Sequence, residues 1–169
     1  MVKKLLSEAE IGDLITILSN FYNFHDEQCK FNSLSESIQY PQTPSTLSES
    51  IAHLLISKKR LITELCDFEC RLGSKNEPDL VATRGRSEKW IEVKGSGKTE
   101  FQEVKKKDLK ADYLIWVCFG DRFHTGQKQN ILIYVLKNPS AVIKRPRKLS
   151  LSEFKDIGGK KVQEIGIYL

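Results

Sequence analysis

The sequence contains no long hydrophobic run and little of several residue types. Its 169 residues include one Met, two Trp, three His and five Pro. No stretch approaches the roughly 18 consecutive apolar residues of a membrane-spanning helix. The N-terminus turns acidic at Glu8 before the apolar segment of a signal peptide develops. We therefore expect a cytoplasmic protein with no membrane partner.

The cysteines lack the spacings that bind metals. None of the four forms a C-x-x-C pair, and no histidine stands at zinc-ligand spacing from them. Neither a zinc site nor a secreted disulfide framework is indicated, so we expect reduced thiols. The 40% hydrophobic content suits one domain with an ordinary core. A formal charge of +5 fits an anionic partner such as nucleic acid, but many ordinary proteins carry as much.

Two helices are predicted from capping boxes and apolar periodicity. Ser7 and Glu10 have the S-x-x-E spacing, and one helical face follows over residues 7–21. A second box, Thr46 with Glu49, predicts a helix of about five turns through residue 65. Residues 23–45 are polar and turn-rich and predict a long loop. The first helical face consists of Ile11, Leu14, Ile15, Leu18 and Phe21.

The rest of the chain alternates between strand and helix patterns. Residues 80–83 and 90–94 predict a hairpin, whereas residues 99–110 are compatible with a helix. Residues 113–119 and 131–136 are continuous apolar runs, as expected of strands buried on both faces. A short helix is expected from Ser150. The sequence thus predicts an α/β fold, a mixed central β-sheet flanked by helices.

The hairpin carries the residues with the clearest chemistry. Asp79 begins its first strand, and Glu92 and Lys94 lie on its second. Side chains alternate along a strand, so Glu92 and Lys94 point to one face, where Asp79 can join them. Two adjacent carboxylates repel each other unless a divalent cation neutralises both, and Mg²⁺ prefers such oxygen ligands. The lysine would then orient the attacking water, as phosphodiester hydrolysis requires.

At Pro78-Asp79 and Glu92-Val93-Lys94 the sequence resembles the PD-(D/E)XK nuclease superfamily, over about residues 47–136. The resemblance implies a restriction-endonuclease-like core in which Asp79 and Glu92 bind Mg²⁺ and Lys94 serves the attacking water. A glutamate of the preceding helix, here Glu49, often assists. It implies one nuclease domain over residues 1–169. Its parts are an N-terminal segment for dimerisation or DNA recognition (1–45), a catalytic core (46–136) and a C-terminal extension (137–169).

Ordinary structural roles compete with each of these assignments. Asp79 after a proline could be a turn residue, Glu92 and Lys94 could form a weak surface pair, and Glu49 could only cap its helix. The basic runs at residues 105–107 and 144–148 would, as in most proteins, be solvent-exposed surface with no ligand. We predict DNA contacts at Lys98, Gln102, Arg84 and Arg86.

The function implied by the resemblance is Mg²⁺-dependent hydrolysis of DNA. A type II restriction endonuclease, cutting both strands of double-stranded DNA as a homodimer, is the interpretation we favour. We expect the dimer to use the segment before Thr46, with Ile11, Leu14 and Leu18 at the contact. The rivals are a structure-selective nuclease similar to Holliday junction resolvases and a non-catalytic DNA-binding module of the same fold.

Overall fold

The computed structural model describes residues 4–29, 43–97, 101–120, 130–158 and 160–165. The helices are α1 (Glu8–Cys29), α2 (Ser45–Ser57), α3 (Pro139–Val142) and α4 (Leu151–Asp156), with 3-10 turns at Thr63–Leu65 and Asp108–Lys110. The strands are β1 (Glu69–Leu72), β2 (Leu80–Arg84), β3 (Ser87–Ser96), β4 (Phe101–Val104), β5 (Tyr113–Cys118), β6 (Ile131–Lys137), β7 (Arg147–Ser150) and β8 (Lys160–Ile165). Within these ranges no helix is long and apolar enough to cross a membrane.

Six strands form the central sheet, in the order β1-β2-β3-β5-β6-β8. The pairing of β3 with β5 is parallel and the other pairings are antiparallel, so the sheet is mixed. A separate antiparallel ladder joins β4 to β7. The predicted α/β class with a mixed central sheet is confirmed.

The sheet separates two hydrophobic clusters, one on each face. Ile115 and Val117 of β5 pack with the apolar sides of α1 and α2, whereas Leu114 and Trp116 pack with α4 and the β4–β7 ladder. Every residue of β5 is buried. Because alternate side chains enter different cores, the strand is apolar throughout, which confirms the prediction for this run.

The first helix begins as predicted and ends later. The capping box forms, since the Ser7 amide donates to Glu10 Oε2 at 2.7 Å and the Glu10 amide donates to Ser7 Oγ at 3.3 Å. The helix continues to Cys29, so the predicted loop is wrong over residues 23–29. Residues 30–42 lie outside the described ranges.

The apolar stripe of α1 belongs to the core of its own chain. Ile11 and Leu18 are buried in the first cluster and Leu14 packs against it, which removes them from the predicted dimer contact. Phe21, predicted on the same face, is 42% exposed, and Tyr22 is buried in its place. At about 100° per residue, Phe21 lies about 80° from Ile11 around the helix axis, whereas Tyr22 lies about 20° from it, so Tyr22 shares the buried side.

The second helix is shorter than predicted and has no capping box. It begins at Ser45 with Pro44 at the N-cap, which provides no side-chain cap. Thr46 and Glu49 therefore fall inside the helix, and Glu49 is only 2% exposed. The helix ends at Ser57, and Lys59 at φ 59° turns the chain away, which truncates the predicted five turns.

The predicted helix at residues 99–110 is wrong over its described part. Residues Phe101–Val104 form β4, which pairs with β7, and a 3-10 turn follows at Asp108–Lys110. Residues 137–169, predicted as an extension, supply β8 to the central sheet and α4 to the second cluster. The helix predicted from Ser150 is confirmed, with a complete Ser150–Glu153 capping box.

Gly95 of β3 sits where the strand approaches α2 most closely, and it generates a stability prediction. A Cβ at this position would lie 2.8 Å from Ser48 Oγ and 3.0 Å from Ser48 Cβ. Gly95→Ala should lower the free energy of unfolding by about 1–3 kcal/mol, since the helix must move away. Urea unfolding measures the change.

Gly97→Ala is the matched control, because its added Cβ would meet only Thr43 Oγ1, at 3.9 Å. Ser48→Gly should recover part of the loss in the Gly95→Ala background. Equal effects of the two alanine substitutions would contradict the close contact.

Candidate active site

The hairpin that carries the candidate residues forms as predicted. The β2–β3 ladder runs from Leu80 opposite Ile91 to Arg84 opposite Ser87. Gly85, at φ 60°, adopts the left-handed conformation that a two-residue hairpin turn requires. The ladder fixes the register that brings the start of β2 beside the middle of β3.

Asp79 is attached to β3 through its side chain. Its Oδ2 accepts a hydrogen bond from the Val93 amide at 2.9 Å, between the two motif residues of β3. Its carbonyl accepts from the Gly73 amide at 3.0 Å. A Cβ on Gly73 would lie 1.7 Å from the carbonyl oxygen of Pro78, so only glycine fits there. Sequence analysis missed this glycine, because its partner lies across a loop.

Glu92 and Lys94 point to the face of the sheet opposite α2. Ile91 and Val93 enter the cluster under α2, so the alternation is that of a regular strand. Lys94 Nζ lies 2.6 Å from Asp108 Oδ2, and Asp108 is fully buried. The motif lysine is therefore held by a carboxylate that sequence analysis did not identify.

One ammonium group contacts both predicted metal ligands. Lys107 Nζ lies 2.8 Å from Glu92 Oε2 and 3.8 Å from Asp79 Oδ1. Lys107 and Asp108 are adjacent in a turn closed by a hydrogen bond from the Lys105 amide to Asp108 Oδ2, at 2.7 Å. This turn supplies a cation to the acids and an anion to the lysine. The five side chains, Asp79, Glu92, Lys94, Lys107 and Asp108, are called the charge cluster below.

The electrostatics of the charge cluster centre on Glu92, which is 1% exposed. Burial raises the pKa of Glu92 to about 7, and the charges of Asp79 and Asp108 act in the same direction, whereas Lys107 opposes them. Burial lowers the pKa of Lys107, but the hydrogen bond to Glu92 and the surrounding carboxylates outweigh burial and raise it. A cation beside Glu92 therefore favours the ionised form of this buried carboxyl at neutral pH.

The donor set fits Mg²⁺ better than a softer metal. An ammonium already stands between the two carboxylates, so the position suits a cation. Mg²⁺ commonly takes one or two carboxylates and completes its octahedron with water and phosphate oxygens. Within the described ranges, no group of three or more His, Cys, Asp or Glu is arranged to hold a metal, which argues against an all-protein cage. Asp79 and Glu92 are the residues that could hold the ion.

Glu49 lies on a helix packed against the other face of the sheet. Its neighbour Ser48 contacts Gly95, and α2 covers the side to which Ile91 and Val93 point. The helix begins at Ser45 with Pro44 at the N-cap, so Glu49 does not occupy the N3 position and the capping role is wrong. Its assistance in catalysis stays a prediction.

The predicted DNA-binding residues are dispersed. Gln102 donates a hydrogen bond to the Gly95 carbonyl at 2.9 Å and so joins β4 to β3. Arg84 lies 3.7 Å from Asp67 and 5.2 Å from the centre of the Phe68 ring, at the end of the hairpin away from Asp79. Arg86 is exposed in the same turn, and Lys98 lies outside the described residues.

Comparisons with known proteins find distant similarity to solved structures. No protein-family model matches the chain, and no curated protein matches it. Among solved structures it is similar to Hjc of Archaeoglobus fulgidus, a Holliday junction resolvase from an archaeal hyperthermophile. The identity is 16% and the TM-score 0.38, over 64% of this chain and 93% of that chain. The assignment of function consequently depends on the residues of this chain.

The loop before Asp79 generates a pH prediction. Arg71 donates two hydrogen bonds to Glu77, at 2.7 and 2.9 Å, and these lower the pKa of Glu77 to about 2. The folded state therefore gains stability above pH 4.5, the ordinary pKa, and loses it as the pH falls toward 2. Glu77→Gln should reduce stability at neutral pH, and its difference from the wild type should vanish in acid. Urea unfolding between pH 2 and 7 measures this.

Glu69→Gln is the control, since it removes an exposed carboxylate of β1 that has no ion pair among the described residues. A Glu77→Gln deficit that stays constant with pH would show that Arg71 does not hold the carboxylate.

Lys107 generates a metal-binding prediction. Two unit charges 4 Å apart interact by about 1 kcal/mol in water, so an ammonium and a divalent ion repel each other by about 2 kcal/mol, and removing this ammonium should raise Mg²⁺ affinity by about 30-fold. Titration calorimetry of Lys107→Met at pH 8 measures the change. Lys106→Met, one residue away on the same run, should bind Mg²⁺ like the wild type. A fall in affinity for Lys107→Met would mean that the lysine supports the ion rather than occupying its position.

Proposed function

We propose that this protein is a Mg²⁺-dependent DNA endonuclease of the PD-(D/E)XK kind. The observation that carries the proposal is the contact of one ammonium with both Asp79 and Glu92, beside a lysine on the same strand. Metal-dependent hydrolysis of a phosphodiester uses a pair of carboxylates that bind a cation and a second cationic group nearby, here Lys94. A non-catalytic module has no need to bury Glu92 in the central sheet.

Each residue of the charge cluster has a separate task in this reaction. Asp79 and Glu92 hold the ion, which when bound polarises a phosphoryl oxygen and lowers the pKa of water. Lys94 lies on the same face as Glu92, and its ammonium orients the attacking water and stabilises negative charge on the phosphate. Asp108 Oδ2, which lies 2.6 Å from Lys94 Nζ, keeps the Lys94 side chain in one position. Asp108 is therefore a positioning residue.

The substrate we propose is duplex DNA with a short palindromic site, cut in both strands by a homodimer as in type II restriction. Two-fold symmetry of the site calls for two active sites related by the same symmetry. Because Ile11 and Leu18 pack within one chain, the dimer contact must use other residues than those predicted. Resolution of four-way junctions is the competing activity, and it also calls for paired cuts.

Substitutions in the charge cluster test the chemistry. Asp79→Asn, Glu92→Gln and Lys94→Met should each lower the cleavage rate at least about 100-fold, because each removes a group that acts on the scissile phosphate. DNA binding should remain. Circular dichroism checks the fold, and gel assays with Mg²⁺ measure cleavage. Ca²⁺ should support binding without efficient cutting, since it forms looser oxygen shells than Mg²⁺.

The same assay distinguishes the substrates. Plasmid and phage DNA, and a synthetic four-way junction of matched sequence, are incubated with wild-type protein and Mg²⁺, and the ends are sequenced. Discrete double-strand breaks at one sequence support restriction. Symmetric cuts in the junction alone would show that the activity is junction resolution and not restriction. Near-wild-type cleavage rates for two of the three variants would show that the active site lies elsewhere.

A further inference from the structure

We propose that the β4–β7 ladder and its flanking turns form the surface that holds the DNA backbone next to the active site. The surface is defined by seven exposed cationic residues, called the basic surface: Lys105, Lys106, Lys110, Lys144, Arg145, Arg147 and Lys148. The inference rests on the proposed nuclease function and names where its substrate lies.

The ladder joins two basic runs that are far apart in sequence. Arg147 pairs with Val104, and Lys148 pairs with Glu103, so the run before β7 meets the run after β4. The turn at Asp108–Lys110 also packs against α3, which immediately precedes Lys144. Each run alone is compatible with a solvated face, but their juxtaposition concentrates positive charge.

Most of this charge lacks an internal counterion. Lys105 lies 3.8 Å from Glu103, and Arg147 lies 3.8 Å from Glu153. No carboxylate of the described residues forms an ion pair with the other five members of the basic surface: Lys106, Lys110, Lys144, Arg145 and Lys148. Like charges gathered without counterions repel one another in the unbound protein, and phosphates relieve that repulsion.

The basic surface is continuous with the charge cluster. Gln102 of β4 donates to the Gly95 carbonyl of β3, which attaches the ladder to the strand that carries Glu92 and Lys94. Lys107, which contacts both acids, directly follows Lys105 and Lys106. A backbone whose scissile phosphate lies at Glu92 can therefore place neighbouring phosphates on the ladder.

The helix α1, on the opposite face of the sheet, lacks cationic side chains. Helix α1 carries five carboxylates and no Lys or Arg between Glu8 and Cys29. It packs in the first hydrophobic cluster, on the other side of the central sheet from β4 and β7. The long helix of this face thus offers phosphates no cationic contact, in contrast to the basic surface.

Charge reversal at two exposed positions tests the surface. Arg145→Glu with Lys148→Glu should weaken binding of a 30-base-pair duplex at least about tenfold at 0.1 M salt and reduce the salt slope by about 2, since each lost phosphate contact removes nearly one unit. Binding is measured by fluorescence anisotropy in EDTA, so that cleavage does not interfere. The loss should be the same for random and cleavable sequences, because phosphate contacts read no bases.

Lys59→Glu with Arg60→Glu is the matched control. It makes the same change in net charge at the exposed end of α2, on the other face of the sheet. Equal weakening by the two pairs would overturn the inference, since net charge alone would then explain binding. Undiminished binding by the first pair would also overturn it.

Lysine footprinting tests the surface in the native chain. Acetylation read by mass spectrometry should show DNA-dependent protection at Lys106, Lys110 and Lys148, and unchanged reactivity at Lys59. Absence of protection at the three lysines contradicts the surface. If the wild type binds DNA at this surface but cuts nothing with Mg²⁺, the proposed function is refuted and the surface remains. If it cuts DNA but shows no protection at these lysines, the surface is refuted and the proposed function remains.

Discussion

The ion pair between Glu92 and Lys107 is the interaction on which the arrangement of the site depends. Glu92 lies on β3, which pairs with β2 on one side and β5 on the other, and it is 1% exposed. A carboxylate in such a place costs several kcal/mol unless a cation and hydrogen bonds compensate it. Lys107 supplies the cation without being part of the sheet. The acid is fixed by the fold, whereas its counterion belongs to a turn outside the central sheet.

A second pair on the same turn links the acids to the lysine. Asp108 holds Lys94, and its neighbour Lys107 holds Glu92 and Asp79. Any movement of this turn consequently changes the contacts of Lys94 and those of the two acids together. Since Gln102 attaches β4 to Gly95, the position of the turn depends on the β4–β7 ladder as well. The ladder thereby connects the chemistry of the site to the basic surface.

The sequence predicts best where one residue's environment follows from its immediate neighbours. The hairpin, the alternation at Glu92 and Lys94 and the buried run of β5 all come from local patterns, and the structure has each of them. The helix predicted at 99–110 fails because β4 gains its hydrogen bonds from β7, whose partner positions lie more than forty residues later. Lys107 was not predicted because its partners, Glu92 and Asp79, lie in other segments of the chain. The capping box at Thr46 fails because Pro44 starts the helix earlier and turns Glu49 inward.

The positions of the charged residues say more about an anionic ligand than the net charge of the chain does. The value of +5 is a small difference between 27 basic and 22 acidic residues, and it is no larger than that of many proteins without an anionic ligand. The fold separates the two signs, placing the five carboxylates of α1 on one side of the sheet and the basic surface on the other. A ligand responds to the local potential within about a Debye length, roughly 10 Å at 0.1 M salt. The basic surface lies on the same side of the sheet as Glu92 and Lys94, so the proposed phosphate contacts and the proposed chemistry share that side.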